Sequence, residues 1–157
     1  MAESLLQTVA APERDAILAA VPQQRPFRFV DEIVEVSDDH IVGRYRFRED
    51  EFFYRGHFPG DPITPGVILI EAMAQTGVVA LGLHLAARAG ADAHRLTTVF
   101  TESNVEFSGL VRPGDVVTTR ARKVYFRRMK LKVAAEMTLA NGSTVCSGEL
   151  AGMGVQL

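Results

Sequence analysis

The period of the apolar positions changes several times along the 157-residue chain, and each change marks an element. From Phe29 to Val36 the residues alternate, with Phe29, Asp31, Ile33 and Glu35 set against Val30, Glu32, Val34 and Val36. Period two predicts a strand. Ser37-Asp38-Asp39 is turn chemistry, and His40 to Phe47 returns as a second strand, so the pair forms a hairpin. Leu96 to Phe107, rich in Thr, Val and Phe, predicts a third strand, and Arg112-Pro113-Gly114-Asp115 a turn. Val116 to Phe126 predicts a fourth strand. Met129, Leu131, Val133, Ala135, Met137 and Leu139 then alternate with polar or small residues as a half-buried fifth strand. Asn141-Gly142 predicts a type I′ turn with positive φ at both positions. Ser143 to Val155 is the last strand. Ahead of the sheet, Thr8 to Ala20 predicts a short helix with Pro12 near its start, ended at Val21-Pro22. Pro26 keeps the following chain extended.

Between the second and third strands the pattern loses its polar face. Val67 to about Ala87 is apolar on every side with few exceptions, which predicts a helix buried all round. Thr64 is the expected N-cap and Pro65 the expected first helical residue. One helix wrapped by an antiparallel sheet is an α+β architecture. A single small sheet does not cover every side of so long a helix, so dimerisation through the sheet edge or across the helix is expected to finish the burial. With no internal repeat or linker, the chain reads as one domain over 1–157, with 1–20 as an N-terminal helical segment.

Composition narrows the class. Hydrophobic residues make up 47% and charged residues 23%, ordinary for a soluble globular protein. A formal charge of −2 gives no electrostatic basis for nucleic-acid binding. The one membrane-span candidate, Val67–Leu85, carries Glu71, Gln75 and His84 and lacks basic flanks, so it reads as a core helix. Met1 to Gln7 has no basic n-region, which speaks against a secretory signal. The single cysteine, Cys146, lies in an apolar alternating run and reads as a buried structural thiol in a reducing, cytoplasmic setting. His40, His84 and His94 lack metal-ligand spacing, and there is no Gly-rich phosphate loop, so neither metal nor cofactor is expected.

Chemistry concentrates from His57 to Gln75. The stretch His57 to Gly66 holds Pro59, Pro62 and Pro65 with Gly60 and Gly66, so its path is tightly specified. Glu71 and Gln75 follow, four apart and hence on one helix face. A histidine on a stiff loop, a carboxylate on a buried helix and free amides at that helix's N-terminus are the parts of an acid–base site. Taken singly each has a plainer reading: a hydrogen-bonded loop histidine, a partnered buried glutamate, a simple turn at Pro59-Gly60-Asp61-Pro62.

His57-Phe58-Pro59-Gly60, Pro65-Gly66-Val67 and Leu69-Ile70-Glu71-Ala72-Met73-Ala74-Gln75 resemble the signature of the FabZ-type β-hydroxyacyl-[acyl-carrier-protein] dehydratases. Pro26-Phe27, Val30-Asp31, Val105-Glu106-Phe107 and Arg112-Pro113-Gly114-Asp115 resemble the family's flanking motifs. The resemblance implies the hotdog fold, a long helix wrapped in an antiparallel sheet, and acyl-phosphopantetheine as substrate on an acyl carrier protein. It implies His57 as the base for the α-proton and Glu71 as the acid for the leaving hydroxide, its pKa expected to rise by burial among Ile70, Met73 and Ala74. Amides at Gly66 and Val67 become the implied oxyanion site, with Pro65 and Phe58 beside it and Gln75 orienting Glu71. Glycine at 66 is expected to let a ligand come close. The family pairs His57 of one protomer with Glu71 of the other, in dimers or trimers of dimers.

Arg120, Arg122, Lys123, Arg127, Arg128, Lys130 and Lys132 fall within thirteen residues without an acid. They read either as a solvated sheet face or as a docking patch for the acidic carrier, with Arg55 beside it. Gln23-Gln24 stand where family members usually carry His-Arg, and Arg28 where an apolar residue is common, which leaves chain length and pathway open. Two other functions remain: a hotdog thioesterase and a non-catalytic acyl-binding partner.

Overall fold

A computed structural model describes residues 8–156. The N-terminal helix α1 spans Ala11–Ala20, and the hairpin strands β1 and β2 span Glu32–Val36 and His40–Arg46. The central helix runs from Gly66 to Arg88 in three parts: α2, Gly66–Ala74; a π-helical stretch, Gln75–Ala80; and α3, Leu81–Arg88. A 3-10 turn at Ala93–Arg95 leads to β3, Thr97–Phe107, and then β4, Val116–Arg127, β5, Lys130–Leu139, and β6, Thr144–Val155.

All pairings are antiparallel, in the order β1-β2-β4-β5-β6-β3. The strand after the helix therefore crosses to the far edge. This places β3 beside β6 and leaves its other side unpaired in the described chain.

The alternation in β5 behaves as its pattern predicts: Leu131, Val133, Ala135 and Met137 face the helix. They are joined by Ile41 and Tyr45 of β2, Val117 and Ala121 of β4, and Val145 and Leu150 of β6. The helix lies close to the sheet because glycines stand at the contacts. A Cβ on Gly77 would come within 2.9 Å of Ala121, and one on Gly43 within 2.7 Å of Thr76. Such approach is open to glycine alone among the residues. The most apolar 18-residue window of the helix is 72% buried, so its hydropathy goes into the core.

Three expectations are corrected. The helix is not buried all round: Gln75 to Ala80 are all buried, yet Val67 is 73% exposed and Ile70 and Glu71 only half-buried. The first two turns have no sheet over one face. Second, Thr64 does not cap the helix. Pro65 occupies the N-cap without a side-chain bond, while the Thr64 hydroxyl pairs with Tyr54 at 2.7 Å and its N–H donates to Val111 O. A hydroxyl buried beside a phenol satisfies both groups there, which outcompetes the cap.

Third, Asn141-Gly142 is not a type I′ turn. Only Gly142 has positive φ, at 87°, and Gly142 N–H donates to Leu139 O, making a three-residue loop with glycine in the left-handed position. Asn141 Oδ1 accepts from Ser143 N–H at 2.9 Å, so the asparagine acts through its side chain. The two-residue turn with both φ positive lies instead at Arg128 (49°) and Met129 (62°), between the paired residues Arg127 and Lys130.

Candidate active site

The loop before the helix is fixed by its own hydrogen bonds. Phe58 and Asp61 exchange backbone bonds at 3.2 and 3.0 Å around Pro59-Gly60. Proline then glycine at φ 79° is what a type II turn requires. His57 and Ile63 are bonded twice: Ile63 N–H donates to His57 O at 2.9 Å, and His57 Nδ1 lies 2.8 Å from Ile63 O. A carbonyl only accepts, so Nδ1 carries a proton, and in the neutral ring the lone pair is on Nε2. The ring stacks on Phe58 at 4.0 Å and is half-buried. Arg112 anchors the turn through Asp61 at 3.2 Å. An imidazole with a fixed tautomer and an accessible basic nitrogen results.

Glu71 is held from below. Gln75, fully buried, donates from Nε2 to Glu71 Oε1 at 2.9 Å and to Phe27 O at 2.9 Å, and its Oε1 accepts from Phe29 N–H at 2.6 Å. The amide thus ties the helix to the extended segment ahead of β1 and sets the carboxylate's position. Glu71 lines a cavity of about 40 Å³ with Gln23, Ala74, Val78, Thr98 and Phe100. His57 is not among the residues lining this cavity.

At the helix start, Gly66 and Val67 N–H have no hydrogen-bond acceptor among the described residues. They form the positive end of the helix dipole, ready for an anionic oxygen. Gly66 also has a packing role. A Cβ there would sit 3.2 Å from the ring of Phe107, so the missing side chain makes room for the end of β3. Pro65 and Phe58 flank this region; Phe58 is 51% exposed.

The basic run divides into lysines held in ion pairs and arginines without a carboxylate partner among the described residues. Lys130 and Lys132 both bind Glu102, Lys132 also binds Glu149, and Lys123 binds Asp39. Arg120, Arg122, Arg127 and Arg128 are exposed with no carboxylate partner among the described residues. Arg122 and Arg127 are about 16 Å apart along β4 at the strand's rise. Among the described residues no cluster of His, Cys, Asp and Glu has metal-binding geometry. His84 bonds Asp38 at 2.9 Å, with Arg88 on the same oxygen, and His40 bonds Ser37 and Glu35. Cys146 is fully buried, and burial pushes its thiol up to about 12, which makes it inert as a nucleophile.

Sequence reasoning missed Gln23, Val78, Thr98, Phe100 and Gly152 around Glu71. Of these, Val78 was signalled by lying on the Glu71–Ala74 helix face and Gln23 by departing from the family pattern; the β3 and β6 residues meet Glu71 through the sheet crossing.

Residues 21–149 match the family model of the FabA-like domain. A 3-hydroxyacyl-[acyl-carrier-protein] dehydratase FabZ from Chloroflexus aggregans is 38% identical over 135 residues, covering 85% of this chain and 90% of its own. FabZ of Caldicellulosiruptor bescii is 34% identical over 139 residues, covering 87% and 94%. Among solved structures, the dehydratase heterocomplex ApeI:P from Xenorhabdus doucetiae superposes with TM-score 0.71 at 19% identity, covering 90% of each chain. A mutant thioesterase from Pseudomonas aeruginosa superposes at 0.64 with 17% identity, covering 96% of this chain and 99% of its own. Identities this low speak for the shared fold only. With its long helix packed on one antiparallel sheet, its motif-bearing loop and these relatives, the chain belongs to the FabA-like family of hotdog proteins, among the FabZ-type dehydratases.

Proposed function

We infer that this protein dehydrates 3-hydroxyacyl thioesters on an acyl carrier protein to trans-2-enoyl thioesters, in fatty-acid or related polyketide-type synthesis in the cytoplasm. The observation that carries the reading is the pair of hydrogen bonds between His57 and Ile63, which commits Nδ1 and leaves Nε2 as the base. His57 Nε2 takes the α-proton, and the electron pair moves toward the thioester carbonyl. Gly66 and Val67 N–H meet the charge that builds on the thioester oxygen, a contribution on the order of 3 kcal/mol per donor in such sites. Glu71, as the acid, protonates the 3-hydroxyl as its C–O bond breaks, and water leaves. Gln75 holds the Glu71 carboxyl in place throughout.

The working unit is a homodimer in which His57 of one protomer serves the Glu71 cavity of the other. Three observations support this: His57 does not line its own chain's Glu71 cavity, Val67 is 73% exposed at the helix start, and β3 is an unpaired edge carrying exposed Val99, Phe100 and Phe107. A carrier docks by its acidic surface on Arg120, Arg122, Arg127 and Arg128, the members of the run free of carboxylates.

The test follows enoyl-thioester absorbance from a 3-hydroxyacyl carrier protein. His57→Ala and Glu71→Gln are each expected to lower kcat by about 10²–10⁴-fold. Mixing the two inactive variants with subunit exchange should restore about a quarter of the activity, since each mixed dimer holds one intact site. No recovery with proven exchange would mean that each chain carries its own complete site. Thiol release without enoyl formation would make the protein a thioesterase.

A further inference from the structure

The Glu71 cavity has a polar mouth and a narrow end. Gln23 lines this cavity, and its Oε1 is buried with no hydrogen-bond partner among the described residues. A buried acceptor left unpaired costs about 1–3 kcal/mol, so its place is explained by a donor that arrives with a ligand. Glu71 is the one carboxyl lining the same space. From there the wall runs along one helix face, Ala74 then Val78, and ends where Val78 and Thr98 close on Gly152. A Cβ on Gly152 would stand 2.7 Å from Val78 Cγ1 and 3.0 Å from Thr98 Cγ2, so both side chains pack directly over that glycine and close the wall there.

Beyond the pinch lies a second void of about 20 Å³, which Val78, Thr98 and Gly152 also line, closed by Leu83, Leu96 and Met129. A water-sized group needs ~10–15 Å³ of such volume, so the first chamber takes about three carbons and the second one or two.

We propose that this cavity seats a short 3-hydroxyacyl tail, its hydroxyl donating to Gln23 Oε1 and its terminal carbons stopping at the Val78–Thr98–Gly152 pinch. The proposal rests on the dehydratase reading and names the substrate within it. With the hydroxyl hydrogen held by Gln23, the oxygen lone pair is left to face Glu71, the group that must protonate it. On departure the water keeps its bond to Gln23, and the enoyl product, which has no hydroxyl, makes none.

The experiment compares 3-hydroxybutanoyl, 3-hydroxyhexanoyl and 3-hydroxydecanoyl carrier proteins. Wild-type kcat/KM should fall by at least tenfold from the hexanoyl to the decanoyl substrate. Val78→Ala, or the milder Thr98→Ser if the first is unstable, should raise the decanoyl-to-hexanoyl ratio several-fold. A wild-type preference for the decanoyl chain, or an unchanged ratio in both folded variants, overturns the length assignment. Gln23→Leu should raise KM for the hydroxyacyl substrate by roughly tenfold while enoyl-thioester binding stays at wild-type strength, with Gln23→His restoring part of the loss. Equal weakening of both ligands, or of neither, overturns the role of Gln23. Absence of dehydration at every length by the wild-type protein instead defeats the underlying function.

Discussion

Gln75 shows how much one side chain is asked to do. It satisfies Phe29 N–H and Phe27 O and still has a hydrogen for Glu71. Gln75→Leu keeps the volume but leaves two backbone groups and the carboxylate unserved. It should lower stability by about 2–4 kcal/mol in denaturant unfolding and reduce kcat by about 10–100-fold with little change in KM. Equal loss in kcat and 1/KM would speak for a binding role instead. The four-residue spacing made the Gln75–Glu71 contact legible in the sequence. The bonds to Phe27 and Phe29 were not, because they join positions 46 and 48 apart. Gln23 was visible only as a departure from the family pattern. Its significance comes from the cavity.

Among the elements, β5 was read closely, since one face on the core imposes period two, whereas in β1 the buried Ile33 and Val36 lie three apart across a bulge and the predicted alternation breaks. β1 starts at Glu32 rather than Phe29, because Phe27 and Phe29 are engaged by Gln75 and by aromatic packing instead of a ladder. The π-helical stretch from Gln75 to Ala80 has no period that distinguishes it from α-helix within an all-apolar run. The two-residue turn at Arg128-Met129 was also illegible, since neither residue favours positive φ. Each left-handed non-glycine residue costs about 1–2 kcal/mol, less for Asn. Arg128→Asn, at an exposed position, should therefore raise stability by a few tenths to about 1 kcal/mol, read as an upward shift of the denaturant midpoint at constant m. A fall would show that the arginine makes a compensating contact.

For the whole molecule, the deciding feature is the unpaired edge. β3 has eleven residues, and exposed Val99 and Phe100 on an open ladder invite a second strand. On the proposed homodimer, Val99→Lys with Thr101→Lys should block pairing at this edge, moving the native mass from dimer to monomer and removing most dehydratase activity while the circular dichroism spectrum stays folded. A folded monomer that retains full activity would place the complete site within one chain. The exposed first turns of the helix follow from the same cause: in the described chain one sheet covers the helix from one side, and Val67 and Glu71 face outward beside β3.

By itself the sequence determined the element order, the inward residues of β5 and the chemical inventory of the site. Hydrophobic period and proline–glycine punctuation are local, and His57 and Glu71 sit in one uninterrupted motif. Only the tertiary structure decided that Thr64 pairs with Tyr54 and that Gly66 yields to Phe107. It also decided that Lys130 and Lys132 share Glu102, and that Gln23 meets Glu71 ahead of a pinch at Gly152. These are encounters between residues far apart in the chain. They follow from the crossing of β3 to the far edge of the sheet and the packing of the helix beneath it, and no local pattern records either.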